Sequence, residues 1–149
     1  MNKYFFSLLL LFTLDRFTKV YILKNPVPSF GGGFFDLHIN TELAFSLPVT
    51  YLFLYPVIIL ILLVLIWFWK KELKRKSILI WPWALVIIGA ISNLMDRIQY
   101  GGVIDFISVP YFTVLNLSDI YISIGVVWVL WYEWMFSKNK NLDKNLRQD

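Results

Sequence analysis

What most constrains this chain is its four long apolar stretches and the positions of the few charges that interrupt them. Tyr4–Leu23 carries Asp15, Arg16 and Lys19, Val49–Trp69 and Ile78–Met95 carry no charge, and Ile120–Phe136 carries only Glu133. Each approaches the roughly 20 residues needed to cross a hydrocarbon core of about 30 Å. The expected spans are about 4–23, 49–69, 78–98 and 116–136, with a polar, frayed tail over 137–149, all within one integral-membrane domain of residues 1–149. A soluble globule does not fit, because 58% of the residues are hydrophobic against about 45–50% apolar in ordinary soluble domains. So short a chain has too little interior to hide them. Reading the first stretch as a cleaved secretory signal also fails, since no small-x-small site follows and the run continues into Leu14-Asp15-Arg16.

Orientation follows from the basic residues. Lys70-Lys71-Glu72-Leu73-Lys74-Arg75-Lys76 holds five positive charges in seven residues, and Lys138, Lys140, Lys144 and Arg147 follow the last span. The positive-inside rule makes both segments cytoplasmic, and an even number of spans brings Lys3 to the same side. All seven tryptophans (Trp67, Trp69, Trp81, Trp83, Trp128, Trp131, Trp134) fall in or near the cytoplasmic ends of spans two to four, as an interfacial belt would. The net charge of +4 is therefore a topology signal and not a nucleic-acid footprint, which needs basic residues interleaved along a polar face. The absence of cysteine excludes disulfides, thiolate metal sites and cysteine nucleophiles.

Two segments remain for the outer face. Lys24–Pro48 contains Pro26, Pro28 and Gly31-Gly32-Gly33, then alternates apolar and polar residues over Leu37–Thr41, which reads as a short strand after a turn. Tyr100–Leu115 joins Gly101-Gly102 to a strand-like Val103–Ile107. The expected fold is an all-α membrane protein with four transmembrane helices. A small extracytoplasmic β-element lies between helices one and two and before helix four.

The residues that invite chemistry are the ionisable ones the basic patches leave unexplained: Asp15, Arg16, Lys19, Asp96, Arg97, Asp105 and Asp119. In this topology all lie at the outer ends of spans one, three and four or between three and four. A charge within a span costs about 2.5–3.5 kcal/mol on insertion scales and faces a partner or a wet cavity. Snorkelling to headgroups accounts for Arg16 or Lys19 singly, but not for four aspartates. Asp15 and Lys19 are spaced i,i+4; Asn93, Asp96 and Arg97 share a face; Asn116 and Asp119 stand three apart at the start of span four. The lone His38 sits in the outer strand and reads as a surface residue, so serine–histidine catalysis lacks its base. Metal-ligand spacing is absent. Carboxylate chemistry remains, in which two aspartates share a proton and activate water; spacing alone does not say which two meet.

These motifs together resemble the bacterial lipoprotein signal peptidases (signal peptidase II), and the resemblance runs from about Leu14 to Ser123. Asp15-Arg16-Phe17-Thr18-Lys19 is similar to the family's D-x-x-x-K, and Asn40-Thr41-Glu42-Leu43-Ala44-Phe45 to its N-x-G-x-A-F. Gly89-Ala90-Ile91-Ser92-Asn93-Leu94-Met95-Asp96-Arg97 with Gly102-Val103-Ile104-Asp105-Phe106 resembles G-x-x-x-N-x-x-D-R and G-x-V-x-D-F. Asn116-Leu117-Ser118-Asp119 looks like N-x-A-D. The resemblance implies an aspartyl endopeptidase that removes the signal peptide from diacylglyceryl-modified prolipoproteins before the lipidated cysteine. Asp105 and Asp119 would be its catalytic pair, with Asp15, Lys19, Asn40, Asn93, Asp96, Arg97 and Asn116 supporting the site or substrate.

The resemblance implies no metal or organic cofactor. The expected partners are the lipid-modified substrate and membrane lipid, with no nucleic acid, and the expected state is a monomer in the bacterial inner membrane. Glu42, Leu43, Ser92 and Ser118 depart from the family pattern; Glu42 is expected to tune substrate choice, and the two serines to preserve close packing. The competing classes are a small proton-relay transporter, disfavoured because the aspartates sit at one end and not at the midplane, and a non-catalytic scaffold.

The topology is testable by cysteine labelling. Leu73→Cys should be shielded from an impermeant thiol reagent in intact cells while Val109→Cys is labelled, and labelling at 73 would reverse the orientation.

Overall fold

The computed structural model describes residues 2–25, 35–41, 51–111 and 113–145. Its elements are α1 (Asn2–Lys24), β1 (Phe35–Asn40), α2 (Tyr51–Arg75), α3 (Ile80–Tyr100), β2 (Val103–Val109), β3 (Thr113–Leu115) and α4 (Leu117–Asn145). The strands form one antiparallel sheet in the order β1-β2-β3, joining the segment between α1 and α2 to the segment before α4. β3 is a strand the sequence reading did not anticipate: three residues are too few for an alternation to register. The polar residues from Ser137, expected to fray, continue α4 to Asn145. Glu42, Leu43 and the glycine run at 31–33 lie outside the described residues.

Burial is inverted relative to a water-soluble protein. Leu60, Leu63, Val127 and Trp131 are each about 60% exposed, whereas Asp15, Lys19, Asp96 and Asn116 are at most 1% exposed. So large an apolar exterior needs an apolar surrounding, and polar groups shut inside it must satisfy one another. Two of the helices, Leu54–Arg75 and Leu117–Lys138, are long and apolar enough to cross a membrane by length and composition. Helices α1 and α3 carry the most deeply buried charges, Asp15, Lys19 and Asp96.

One end of the bundle is aromatic and basic. Phe68 of α2 stacks on Trp83 of α3, and the ammonium groups of Lys71 and Lys138 lie over Trp67 and Trp134, a cation–π arrangement suited to an interface. The opposite end carries the sheet, with β2 against α1 and α3.

Helix α3 is the central element, packed on α1, α2 and α4. A Cβ added at Gly89 would stand 2.6 Å from the Ser118 carbonyl oxygen and 2.8 Å from Ile122, and one at Gly125 would stand 2.6 Å from the Pro82 carbonyl oxygen. Missing side chains thus bring α3 and α4 together, as small residues do in membrane bundles. At the other end of α3, Gly101 takes a left-handed conformation (φ 74°) and donates its N–H to the Arg97 carbonyl. The chain turns there directly into β2.

Gly89→Ala should therefore lower the unfolding midpoint in detergent, by about 1–3 kcal/mol as in overpacked interiors. An unchanged midpoint would mean that α3 and α4 are free to separate.

Candidate active site

Eleven polar side chains from α1, α3, the start of α4 and the sheet meet where the bundle adjoins β2, and they divide into an ionic core and a carboxylate pair.

The ionic core is built on Lys19. Its fully buried Nζ lies 2.7 Å from Asp96 Oδ2 and 3.2 Å from Asp15 Oδ2, and donates to Asn93 Oδ1 at 3.0 Å and more weakly to Ser118 Oγ at 3.4 Å. Arg16 pairs with the other oxygen of Asp96 and reaches the Ser92 carbonyl and hydroxyl and Gln99 Oε1, each at 3.3 Å. The Ser92 hydroxyl donates to Asp15 Oδ2, whose second oxygen accepts the Ser118 N–H at 2.9 Å. Two cations therefore meet two carboxylates and the core is neutral, the condition under which buried charge is tolerated. Snorkelling is excluded for Lys19, which has no exposed surface. Ser92 and Ser118 do more than keep packing close, since both bond the core directly. Nothing in their small size alone announced that role.

The carboxylate pair is built on the start of α4. Asn116 precedes the first residue of that helix, and its Oδ1 accepts the Asp119 N–H at 3.0 Å while Asp119 Oδ2 accepts the Asn116 N–H at 3.2 Å. This reciprocal exchange is a capping box with Asn and Asp in place of Ser and Glu. With its oxygen occupied, the Asn116 amide must turn its NH2 outward, and Nδ2 donates to Asp105 Oδ1 at 2.6 Å. Asn93 is oriented in the same way: Lys19 holds its oxygen, so Nδ2 donates to Asp119 Oδ1 at 2.9 Å. Asn40, from β1, donates to Asp105 Oδ2 at 3.2 Å. Each carboxylate thus accepts two neutral N–H groups, and no cation bonds either one among the described contacts.

Asp105 enters from β2, where the preceding Ile104 donates its N–H to Asp96 Oδ2 at 3.4 Å, tying the strand to the ionic core. Asp105 is 3% exposed. Burial raises its pKa to about 6, with Asp119 nearby adding to the rise and the bonds from Asn116 and Asn40 and the Lys19 charge opposing it. A carboxylic acid that keeps its proton beside a second carboxylate is a fitting arrangement for acid–base work.

Of the nine residues singled out from sequence, the structure joins Asp15, Lys19, Asn40, Asn93, Asp96, Asp105, Asn116 and Asp119 in one network. Arg97 is placed on the α2 side of α3. Its carbonyl accepts the Tyr55 hydroxyl at 3.1 Å, and it lines an apolar cleft of about 200 Å³ between α2 and α3 with Ile58, Ile61, Leu62, Ala90, Asn93 and Leu94. Because Asn93 is common to both, the cleft opens beside the carboxylate pair. Arg16 was missing from the expected set, although its i,i+3 relation to Lys19 placed it near the same charges. Among the described residues no group of His, Asp and Glu is arranged to hold a metal.

Comparison with known proteins places the chain in one family. Residues 7–135 match the family model described as signal peptidase (SPase) II. The chain is 34% identical over 154 aligned residues to the lipoprotein signal peptidase of Pelagibacter ubique (strain HTCC1062), covering 93% of this chain and 91% of that protein. It is 32% identical over 137 residues to that of Syntrophus aciditrophicus (strain SB), covering 81% and 85%. A solved bacterial membrane enzyme, determined by the in meso method at 2.3 Å, superposes with a TM-score of 0.79 at 23% identity, over 94% of this chain and 92% of the other. A second, at 1.9 Å, gives 0.73, also at 23% identity.

Lys19→Met should unfold well below the parent in detergent, by about 3–5 kcal/mol, because it leaves Asp15 and Asp96 with one cation between them. Adding Asp15→Asn should recover part of the loss. A wild-type midpoint for the single variant would remove the ionic core from its supporting role.

Proposed function

Because the chain belongs to the signal peptidase II family, we propose that it is an aspartyl endopeptidase that removes the signal peptide from diacylglyceryl-modified prolipoproteins, with Asp105 and Asp119 as the catalytic pair. One observation carries the reading. The two carboxylates share the bridging residue Asn116 and are held by neutral amides, so a single proton can reside between them. A cation in direct contact would hold both ionised.

The reaction then follows from the two environments. Asp105, raised by burial, keeps its proton and donates it to the scissile carbonyl oxygen. Asp119, half-buried at the start of α4, takes a proton from water as the hydroxide adds to the carbonyl carbon. The N–H groups and positive dipole end of that helix favour a carboxylate there. Collapse of the tetrahedral intermediate breaks the C–N bond. Asp119 returns its proton to the leaving nitrogen, Asp105 recovers its own, and no cofactor is required.

The same reading includes four spans, both termini and the Lys70–Lys76 loop on the cytoplasmic side, and the pair near the outer face of the bacterial inner membrane. The enzyme acts as a monomer surrounded by lipid. The cleft lined by Ile58, Leu62, Leu94 and Arg97 offers an apolar wall beside the pair, suited to a substrate that arrives within the bilayer.

Asp105→Asn and Asp119→Asn, purified and reconstituted with a lipidated substrate, should each lose turnover by orders of magnitude, with the double variant hardly worse, since a unit that needs both members fails once. Near-normal cleavage by either folded single variant would overturn the pair. In the wild type, kcat/KM should fall on both sides of an optimum. Rising pH strips the proton from Asp105, whose pKa burial has raised to about 6, and removes the acid, so the alkaline limb follows that residue.

A further inference from the structure

His38 lies directly across the β1–β2 ladder from Asp105. The register pairs His38 with Asp105, Ile39 with Ile104 and Asn40 with Val103, and is regular from His38 onward. Residues facing each other in an antiparallel pair project to the same side of the sheet with Cβ atoms about 4.5–5.5 Å apart. Asn40, two residues along and therefore on the same face of β1, does reach the Asp105 carboxylate, which establishes the side to which that face is turned. His38 is exposed. It is the one histidine in the chain, and imidazole is the side chain that ordinarily changes charge between about pH 5 and 8.

We propose that His38 is a positioning residue for the proton on Asp105: its imidazolium favours the ionised carboxylate across the ladder, so the pH at which the site loses its acid is set jointly by the two side chains. The proposal rests on the catalytic reading of Asp105. Other charges near the pair are Asp36 on β1, Asp119 on α4, Lys19 on α1, and Asp96 and Arg97 on α3. Asp119 opposes ionisation of Asp105 and Lys19 favours it. Lys19 is committed to Asp15 and Asp96, and Arg16 to Asp96. His38 differs from these in facing Asp105 directly across the ladder.

The test is the alkaline limb of kcat/KM in the reconstituted enzyme, compared for wild type, His38→Gln and His38→Lys at low and high salt. Removing the imidazolium removes a charge that draws the proton off Asp105, so His38→Gln should move the limb upward by about half a pH unit, the scale of an exposed ion pair. His38→Lys, whose charge is permanent over this range, should move it below the wild-type position. Both displacements should shrink in about 1 M salt, where screening acts over about 3 Å. Superimposable profiles for His38→Gln and wild type at low salt would overturn the proposal. So would equal displacement in Gln and Lys variants, which would report packing and not charge. The catalytic reading fails separately, through activity in Asp105→Asn. If that variant is inactive and the His38 profiles coincide, only the role of His38 is lost.

Discussion

The burial of one ammonium group organises this protein. Lys19 has no exposed surface and stands in a bundle whose outside is leucine, valine and tryptophan, so its charge must be answered from within. Asp15, one turn before it on α1, answers part; Asp96 on α3 answers the rest and is shared with Arg16. Because those partners belong to two helices, neutralising the lysine also fixes α1 against α3. The second oxygen of Asp15 then accepts the Ser118 N–H, and the Asp96 oxygen that faces Lys19 also accepts the Ile104 N–H, extending the same constraint to α4 and β2. Apolar packing holds the helices together, but it discriminates poorly among registers when the surroundings are equally apolar. The ionic core permits few.

From that core outward, each amide can point in one direction only. Asn93 gives its oxygen to Lys19 and so presents its NH2 to Asp119; Asn116 gives its oxygen to the α4 cap and so presents its NH2 to Asp105. An amide with one end committed delivers a neutral donor of known polarity. Charge is thereby used for structure beside two carboxylates that themselves accept from neutral amides.

Much of this was legible in the sequence, and the limits have physical causes. The i,i+4 spacing of Asp15 and Lys19 is local and forecast their ion pair. The positions of Asn93 and Asp96 on α3 indicated one face. Which carboxylates would meet was not legible, because Asp105 and Asp119 are joined through a helix cap and a strand register, neither of which has a periodic signature. Arg16 as an unexplained charge and Ser92 as a small packing residue do not reveal their partners from sequence, because each bonds a residue more than 70 positions away. His38 was read as a surface residue, and it is one. Only the pairing of β1 with β2 reveals that its neighbour across the ladder is Asp105.

The sheet therefore does more than cap the bundle. Asn40 and His38 come from the chain between α1 and α2, and without β1 the Asp105 carboxylate would keep only the Asn116 donor. A three-stranded sheet has little stability alone, and this one is held by β2, through the Ile104 N–H on Asp96 and the turn at Gly101 that leads directly out of α3. Displacement of β1 would change the donors around Asp105 while leaving the ionic core intact. The donors that surround Asp105 and the charges that hold the helices are thus separate sets of contacts, the first supplied partly by the sheet and the second by α1 and α3.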